Sequence, residues 1–399
     1  MFSIKKKLDN NLRIAIEKDR FKNYRIIIHC TALLDKFQSK IKSFRGELIC
    51  IIPSINCVCA NMSALAIHRL IEYPEVNFIT LDDFAYLCAN SVSAANSVNL
   101  GKSLKFTGKD VCIGLIDSGV YPHPDLLSPF KKIKKFTDLI NGLNYPYDDN
   151  GHGTFISGIL SGSGINSNGM YKGIAPNSSI YCIKAFNALG KGYISNILLA
   201  IDKFLLDCKK FNIRILCLPF EISTEDDFIL SLFYKIFEKA KENDIVVIIP
   251  SGNNENIKSS IRGIAALSNC LTIGGVDTTS ITKPYFYSAS GPCGKLMKPD
   301  LSAACVDIYS LRSDINYVSE RDGVKLYPHK MKQYYTTFTG TSCAAAYISG
   351  ICALLLESNS TLNYKDVISL IKASCNLLNF PKWQQGEGLI DITKLFNNE

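Results

Sequence analysis

Four short segments carry residue types that could do chemistry together. Asp117 closes the apolar run Val111 to Ile116 (VCIGLI) in Ile116-Asp117-Ser118-Gly119. His152 stands between glycines in Asn150-Gly151-His152-Gly153-Thr154, ahead of the small-residue stretch from Phe155 to Gly162. Ser342 lies in Thr339-Gly340-Thr341-Ser342-Cys343-Ala344-Ala345, a glycine turn entering an apolar helix, and Ser251-Gly252-Asn253 follows the run IVVII. Singly, each has a plain structural role: a carboxylate cap, a glycine turn, a serine N-cap, an asparagine turn. Jointly they supply what acyl transfer by a hydroxyl requires. Serine is a weak nucleophile until a base within hydrogen-bond reach takes its proton, and the base needs a buried carboxylate to fix its tautomer. The tetrahedral oxyanion then needs preformed donors, for which Asn253 is the candidate.

Such groups must be held by a frame, and in open parallel sheets they collect at the carboxyl ends of strands and the helix starts facing them. From Val111 onward the chain has that pattern. Continuous apolar runs, as expected for parallel strands covered on both faces, occur at 111–116, 180–184, 213–218, 245–249 and 271–276. Helical stretches lie at 194–208, 228–241, 342–356 and 364–373. Residues 104–399 therefore read as an α/β domain, a doubly wound parallel sheet. Ahead of it, residues 22–90 alternate strands (24–29, 47–52, 76–81) and helices (32–41, 63–72), which suggests a small ferredoxin-like α+β domain. Residues 1–21 are expected as an N-terminal extension. The small, polar stretch Cys88 to Asn99 belongs to a linker over 91–103.

Composition removes several classes. The 399 residues are 47% hydrophobic and 20% charged, which excludes wholesale disorder. The net charge of +8 is spread along the chain; its densest cluster, Lys5-Lys6-Lys7, reads as a solvated terminus, and no nucleic-acid partner is expected. The fifteen cysteines are odd in number and sit mostly in apolar runs, where they act as small buried hydrophobes rather than a disulfide framework. The N-terminus shows no unbroken apolar signal core, and no segment is read as approaching the ~18 apolar residues that cross a bilayer. A cytoplasmic protein without membrane contact is expected.

The segments IDSG around Asp117, NGHGT around His152 and GTS around Ser342, in that order, resemble those of the subtilisin-like serine peptidases. The likeness continues through YPHPDL from Tyr121, YKGIAP from Tyr171 and KPDL from Lys298, and Gly252-Asn253 is similar to the family's oxyanion-hole segment. Within the family the chain looks nearest to the intracellular bacterial AprX type, on DDNGHGT from Asp148 and INCVCAN from Ile55. The resemblance implies a subtilisin-like fold and a serine endopeptidase acting on proteins or peptides. Ser342 would be nucleophile, His152 general base and then acid, Asp117 the orienting carboxylate, and Asn253 an oxyanion donor. The N-terminal domain would be propeptide-like, an intramolecular chaperone and inhibitor. Other readings are a non-catalytic binding or regulatory version of the fold, and a dedicated processing peptidase, as in sporulation or germination.

Departures from the family pattern concentrate around the substrate. Phe155 stands where the family has a second histidine, and Cys343 and Ala346 replace Met and Pro. The family's Ser-Leu-Gly wall appears as Pro219-Phe220-Glu221, and its Ala-Ala before Gly252 as Pro250-Ser251. A substrate docking there as an added strand meets a proline without N–H and a new charge. The expectation is a narrow or unusual P1 preference, for a basic residue if Glu221 attracts it. Other motifs carry less. His123 between prolines is structural, Cys57-x-Cys59 lacks a second pair for zinc, and no phosphate-binding glycine loop follows a strand. No cofactor is implied, although Asp148-Asp149-Asn150 could hold a structural Ca²⁺ if other oxygens converge there.

Overall fold

The computed structural model describes residues 7–31, 34–87 and 105–396. The expected linker over 91–103 lies outside them.

In the N-terminal part, α1 (Asn10–Glu17) precedes β1 (Tyr24–Cys30), α2 (Leu34–Ser43), β2 (Glu47–Ile52), β3 (Cys57–Met62), α3 (Ala64–Leu70) and β4 (Val76–Leu81). The sheet order β2-β3-β1-β4 with antiparallel pairing is the ferredoxin-like arrangement expected. Strand β3 is an element the sequence pattern does not announce. It is an inner strand buried along nearly its whole length, so it shows no polar alternation. Of the expected N-terminal extension, the described residues of α1 do not stand apart, because Leu12 and Ala15 join Ile26, Ile28 and Val58 in the module's core.

The larger part follows β5 (Phe84–Leu87). In order come β6 (Cys112–Asp117), α4 (Pro124–Leu127), β7 (Ile133–Asp138), α5 (His152–Ser161), β8 (Ser179–Lys184), β9 (Lys191–Tyr193), α6 (Ile194–Phe211) and β10 (Ile213–Cys217). Then come β11 (Phe220–Glu221), α7 (Asp227–Glu242), β12 (Val246–Pro250), β13 (Leu271–Asp277), α8 (Thr341–Ser358) and α9 (Tyr364–Ala373). The central sheet runs in the order β13-β12-β10-β6-β8-β7, all parallel, and Leu301–Ala304 extends it beside β13.

Alternate residues of each strand feed two cores. Ile113, Leu115 and Ile248 face α5 and α8, whereas Ile116, Val247 and Ile249 face α6 and α7. Burial on both faces is why these strands read as unbroken apolar runs. The second core also takes in Ile27, Ile52, Cys57 and Cys59, so the open face of the N-terminal sheet packs on α6 and α7. Helix α8 corrects one expectation. Its 18 residues are long and apolar enough to span a bilayer by composition, but 83% of that stretch is buried in the middle of the domain. The described cysteines are all free thiols, most of them buried.

Candidate active site

Asp117 is the last residue of β6, placed at the carboxyl edge of the sheet by its pairing with Lys184 of β8. His152 opens α5, and Ser342 is the second residue of α8. Both helices begin at a glycine that supplies no side-chain cap, Gly151 and Gly340. Gly153 shows why the first helix can come so close. A Cβ there would lie 2.1 Å from the Gly119 carbonyl oxygen and 3.0 Å from Asp117 Cβ. Only glycine lets α5 press its first turn onto the Asp117 strand end.

The three side chains meet. His152 Nδ1 lies 2.8 and 2.9 Å from the two Asp117 carboxylate oxygens, and His152 Nε2 lies 3.2 Å from Ser342 Oγ. All three are buried. Burial pushes the Asp117 carboxyl above its usual range, opposed by His152 and by the Ser118 N–H. With Nδ1–H donating to Asp117, Nε2 is the imidazole nitrogen left to accept a proton from the serine. The neighbouring Cys343 is no rival nucleophile, since burial pushes its thiol up to about 12.

Further buried groups support the cluster. Asp148 is buried, and its Oδ1 accepts from Ser118 Oγ (2.8 Å), Gly151 N (2.8 Å) and Asn150 N (3.2 Å). Its Oδ2 accepts from Thr154 N (2.8 Å) and Thr154 Oγ1 (2.6 Å), so a remote carboxylate does the capping that Gly151 cannot. Asp149 takes the buried Lys184 Nζ at 2.6 Å. The Asp148-Asp149-Asn150 run is thus bonded to protein donors, and among the described residues no group of three or more His, Cys, Asp or Glu could hold a metal. The sequence signal for Asp148 was present, a carboxylate just ahead of a helix with a glycine cap. Phe155 lies with its ring 5.3 Å from that of Phe338, which is itself 5.9 Å from the His152 ring, so the substituted position forms an apolar floor. His123 is buried and caps α4, its Nδ1 accepting from Asp125 N at 3.1 Å; it takes no part in the cluster.

The other expected residues line the neighbouring wall. Asn253 follows β12 and the buried Pro250, Ser251 and Gly252, and the Gly252 carbonyl accepts from Thr341 Oγ1 at 3.4 Å, beside Ser342. Pro219 and Phe220 are buried, Phe220 with its ring 5.1 Å from that of Phe186. Glu221 turns its carboxylate onto the Asn253 loop. Strand β5 lies between β9 and β11 in an antiparallel sheet, with Phe220 opposite Leu87, Glu221 opposite Tyr86, and Tyr86 opposite Lys191.

Known proteins resemble the chain in sequence and in fold. The chain is 30% identical over 353 residues to "Serine protease AprX" of Bacillus subtilis, covering 83% of this chain and 76% of that protein. It is 23% identical to Subtilisin E of the same species, over 85% of this chain and 80% of that one. In structure it superposes on fervidolysin of Fervidobacterium pennivorans, a keratinolytic enzyme related to subtilisin, with a TM-score of 0.71 at 16% identity. That match covers 94% of this chain and 61% of the fervidolysin chain, and it shows the fold alone. The Subtilase family (Peptidase_S8) matches residues 108–389, and with a strand-end aspartate, a helix-start histidine and a helix-start serine in contact, the chain belongs to that family of serine endopeptidases.

Proposed function

We propose that the chain hydrolyses peptide bonds through an acyl-enzyme formed on Ser342. His152 Nε2 takes the Ser342 proton as Oγ attacks the scissile carbonyl, and Asp117 stabilises the imidazolium through Nδ1. The oxyanion is held by the Asn253 side-chain amide and the Ser342 N–H, the latter in a first helical turn whose N–H groups have no intrahelical acceptor. His152 then protonates the leaving amine and activates the water that releases the acyl group. The observation that carries this reading is the imidazole bridging a buried carboxylate and a serine hydroxyl.

The N-terminal module is read as an intramolecular inhibitor. Supporting this, β5 occupies the middle of the β9–β5–β11 sheet, where a substrate would add as a strand. Asp82, just after β4, caps α6 from outside: its Oδ1 accepts Ser195 N at 2.8 Å, while the helix's own cap residue, Tyr193, offers no side-chain bond. Arg25 joins Asp82 at 2.6 Å and Ser195 Oγ at 2.8 Å. The free, buried thiols suit a reducing compartment, in keeping with a cytoplasmic setting.

The test is labelling by a fluorophosphonate, which should modify the wild-type protein and not Ser342→Ala. An unlabelled wild type would instead support a non-catalytic member of the family. Mass spectrometry of the same pair should show the module removed only where Ser342 is present, if self-cleavage occurs. A processing peptidase and a general one share this chemistry and separate on peptide libraries.

A further inference from the structure

We propose that Glu221 is a positioning residue for the oxyanion donor, tying the wall where substrate docks to the loop that carries Asn253. The inference rests on the serine-peptidase reading above. The Glu221 backbone belongs to β11 and pairs with the strand lying in the cleft, opposite Tyr86. Its side chain crosses to the turn after β12. Oε2 accepts the Asn253 N–H at 3.1 Å, and Oε1 accepts from Asn254 Nδ2 at 2.5 Å and from Ser223 Oγ at 3.1 Å. A carboxylate bond to a backbone N–H is roughly twice as strong as a neutral one, so this contact anchors the Asn253 main chain.

Two further observations give the contact its consequence. Gly252 has φ of +101°, which glycine adopts without strain, and a Cβ there would stand 3.1 Å from Glu221 Cδ, so the turn and the carboxylate lie in close contact. Asn253 Oδ1 is buried and receives no hydrogen bond among the described residues. The side-chain amide is therefore not aimed through its own oxygen. Its direction follows from where its backbone is held, and Glu221 holds it. A carboxylate engaged in this way acts on the loop and is not spent on pairing with a basic P1 side chain. The charge expected from sequence to set P1 preference instead sets the geometry of the donor.

The experiment is steady-state cleavage of fluorogenic peptides with basic and apolar P1 residues, using the full chain with active sites counted by fluorophosphonate titration. The variants are Glu221→Ala, Glu221→Gln, Asn253→Ala and the Glu221→Ala/Asn253→Ala pair. Displacing a donor by a fraction of an ångström forfeits part of the 10²–10³-fold it supplies, so Glu221→Ala should lower kcat about 10- to 50-fold with KM nearly unchanged. Glu221→Gln keeps an acceptor for the Asn253 N–H and should restore most of that loss for every P1 residue. In the Asn253→Ala background, Glu221→Ala should cost no more than about twofold, because the group it positions is gone. Titration counts only competent molecules, and the Gln variant carries the test if the Ala variant folds poorly. An unchanged kcat in Glu221→Ala, equal losses in both backgrounds, or a Gln variant impaired only in KM for basic P1 peptides would each overturn the inference. A wild type without labelling or turnover sinks the serine-peptidase reading and this one together; an active wild type matched by Glu221→Ala sinks this one alone.

Discussion

The two walls of the cleft are built on different plans. On the triad side, Asp117, Ser118, Asp148, His152 and Thr154 satisfy one another within a span of 38 residues, all of them buried, and only Ser342 arrives from far away. On the docking side, the partners come from β5 of the N-terminal part, β9, β11 and the turn after β12, and Glu221 remains half-buried among them. The first wall is a sealed hydrogen-bond network whose geometry is fixed before substrate comes. The second is a pair of strand edges, β9 and β11, bridged by β5 of the same chain. The hydrogen bonds around His152 are thus mostly local in sequence, while the second wall is assembled across the chain.

Substitutions on the triad side should act on turnover by orders of magnitude and leave binding alone. Ser342→Ala should abolish fluorophosphonate labelling and reduce kcat on the order of 10⁶-fold. Asp117→Asn keeps the shape but favours the wrong imidazole tautomer, and should cost roughly 10⁴-fold in kcat. A kcat within tenfold of wild type for either variant would show that the contact at His152 is not the working one. Asn253→Ala stands at the seam of the two walls and should lose about 10²–10³-fold in kcat with a small change in KM.

The same contrast explains what could be read in advance. The meeting of Asp117, His152 and Ser342 was legible because their three segments, in that order, resemble those of a known family, and Gly153 leaves room for α5 to close on the Asp117 strand end. The parallel strands were legible because burial on both faces writes unbroken apolar runs. Strand β3 and the edge strand β7 were not, the one too uniformly buried to alternate, the other carrying Lys134 and Lys135. Glu221 is legible as a residue of the wall, but the contact its carboxylate makes is not. Its sequence neighbours say that it lies on the wall, but only the turn after β12, some thirty positions later, says where its carboxylate goes.

A substitution confined to the docking side should leave chemistry intact and loosen the N-terminal module. Asp82→Ala removes the outside cap of α6 and the partner of Arg25. Breaking these charge-assisted bonds should cost about 2 kcal/mol. In the Ser342→Ala background, amide exchange in the first turn of α6 should quicken about 10- to 30-fold, with β6 and β8 unchanged. Protection that stays at the parent level would show that the module is held by its apolar face alone.

The smallest effect sharpens the comparison from the triad side, through a group that does no chemistry. His123 is buried in the turn after β6, its Nδ1 accepting the Asp125 N–H at 3.1 Å and its Nε2 bonded to the Tyr334 carbonyl at 3.0 Å. That pattern requires a neutral ring, and burial lowers its pKa to about 4, only partly offset by Asp125. The unfolded chain binds the proton near pH 6.5 and the folded one does not until about 4. The stabilisation is therefore complete above 6.5 and is lost as pH falls from 6.5 towards 4. By pH 5.5 the loss should be about 1 kcal/mol. His123→Asn keeps an acceptor for the Asp125 N–H without titrating, so thermal unfolding of the variant in the Ser342→Ala background should be flatter over that range. Equal slopes for variant and parent would mean that acid acts elsewhere. In that case the sealed character of this wall would not extend as far as the turn that carries Asp117 into α4.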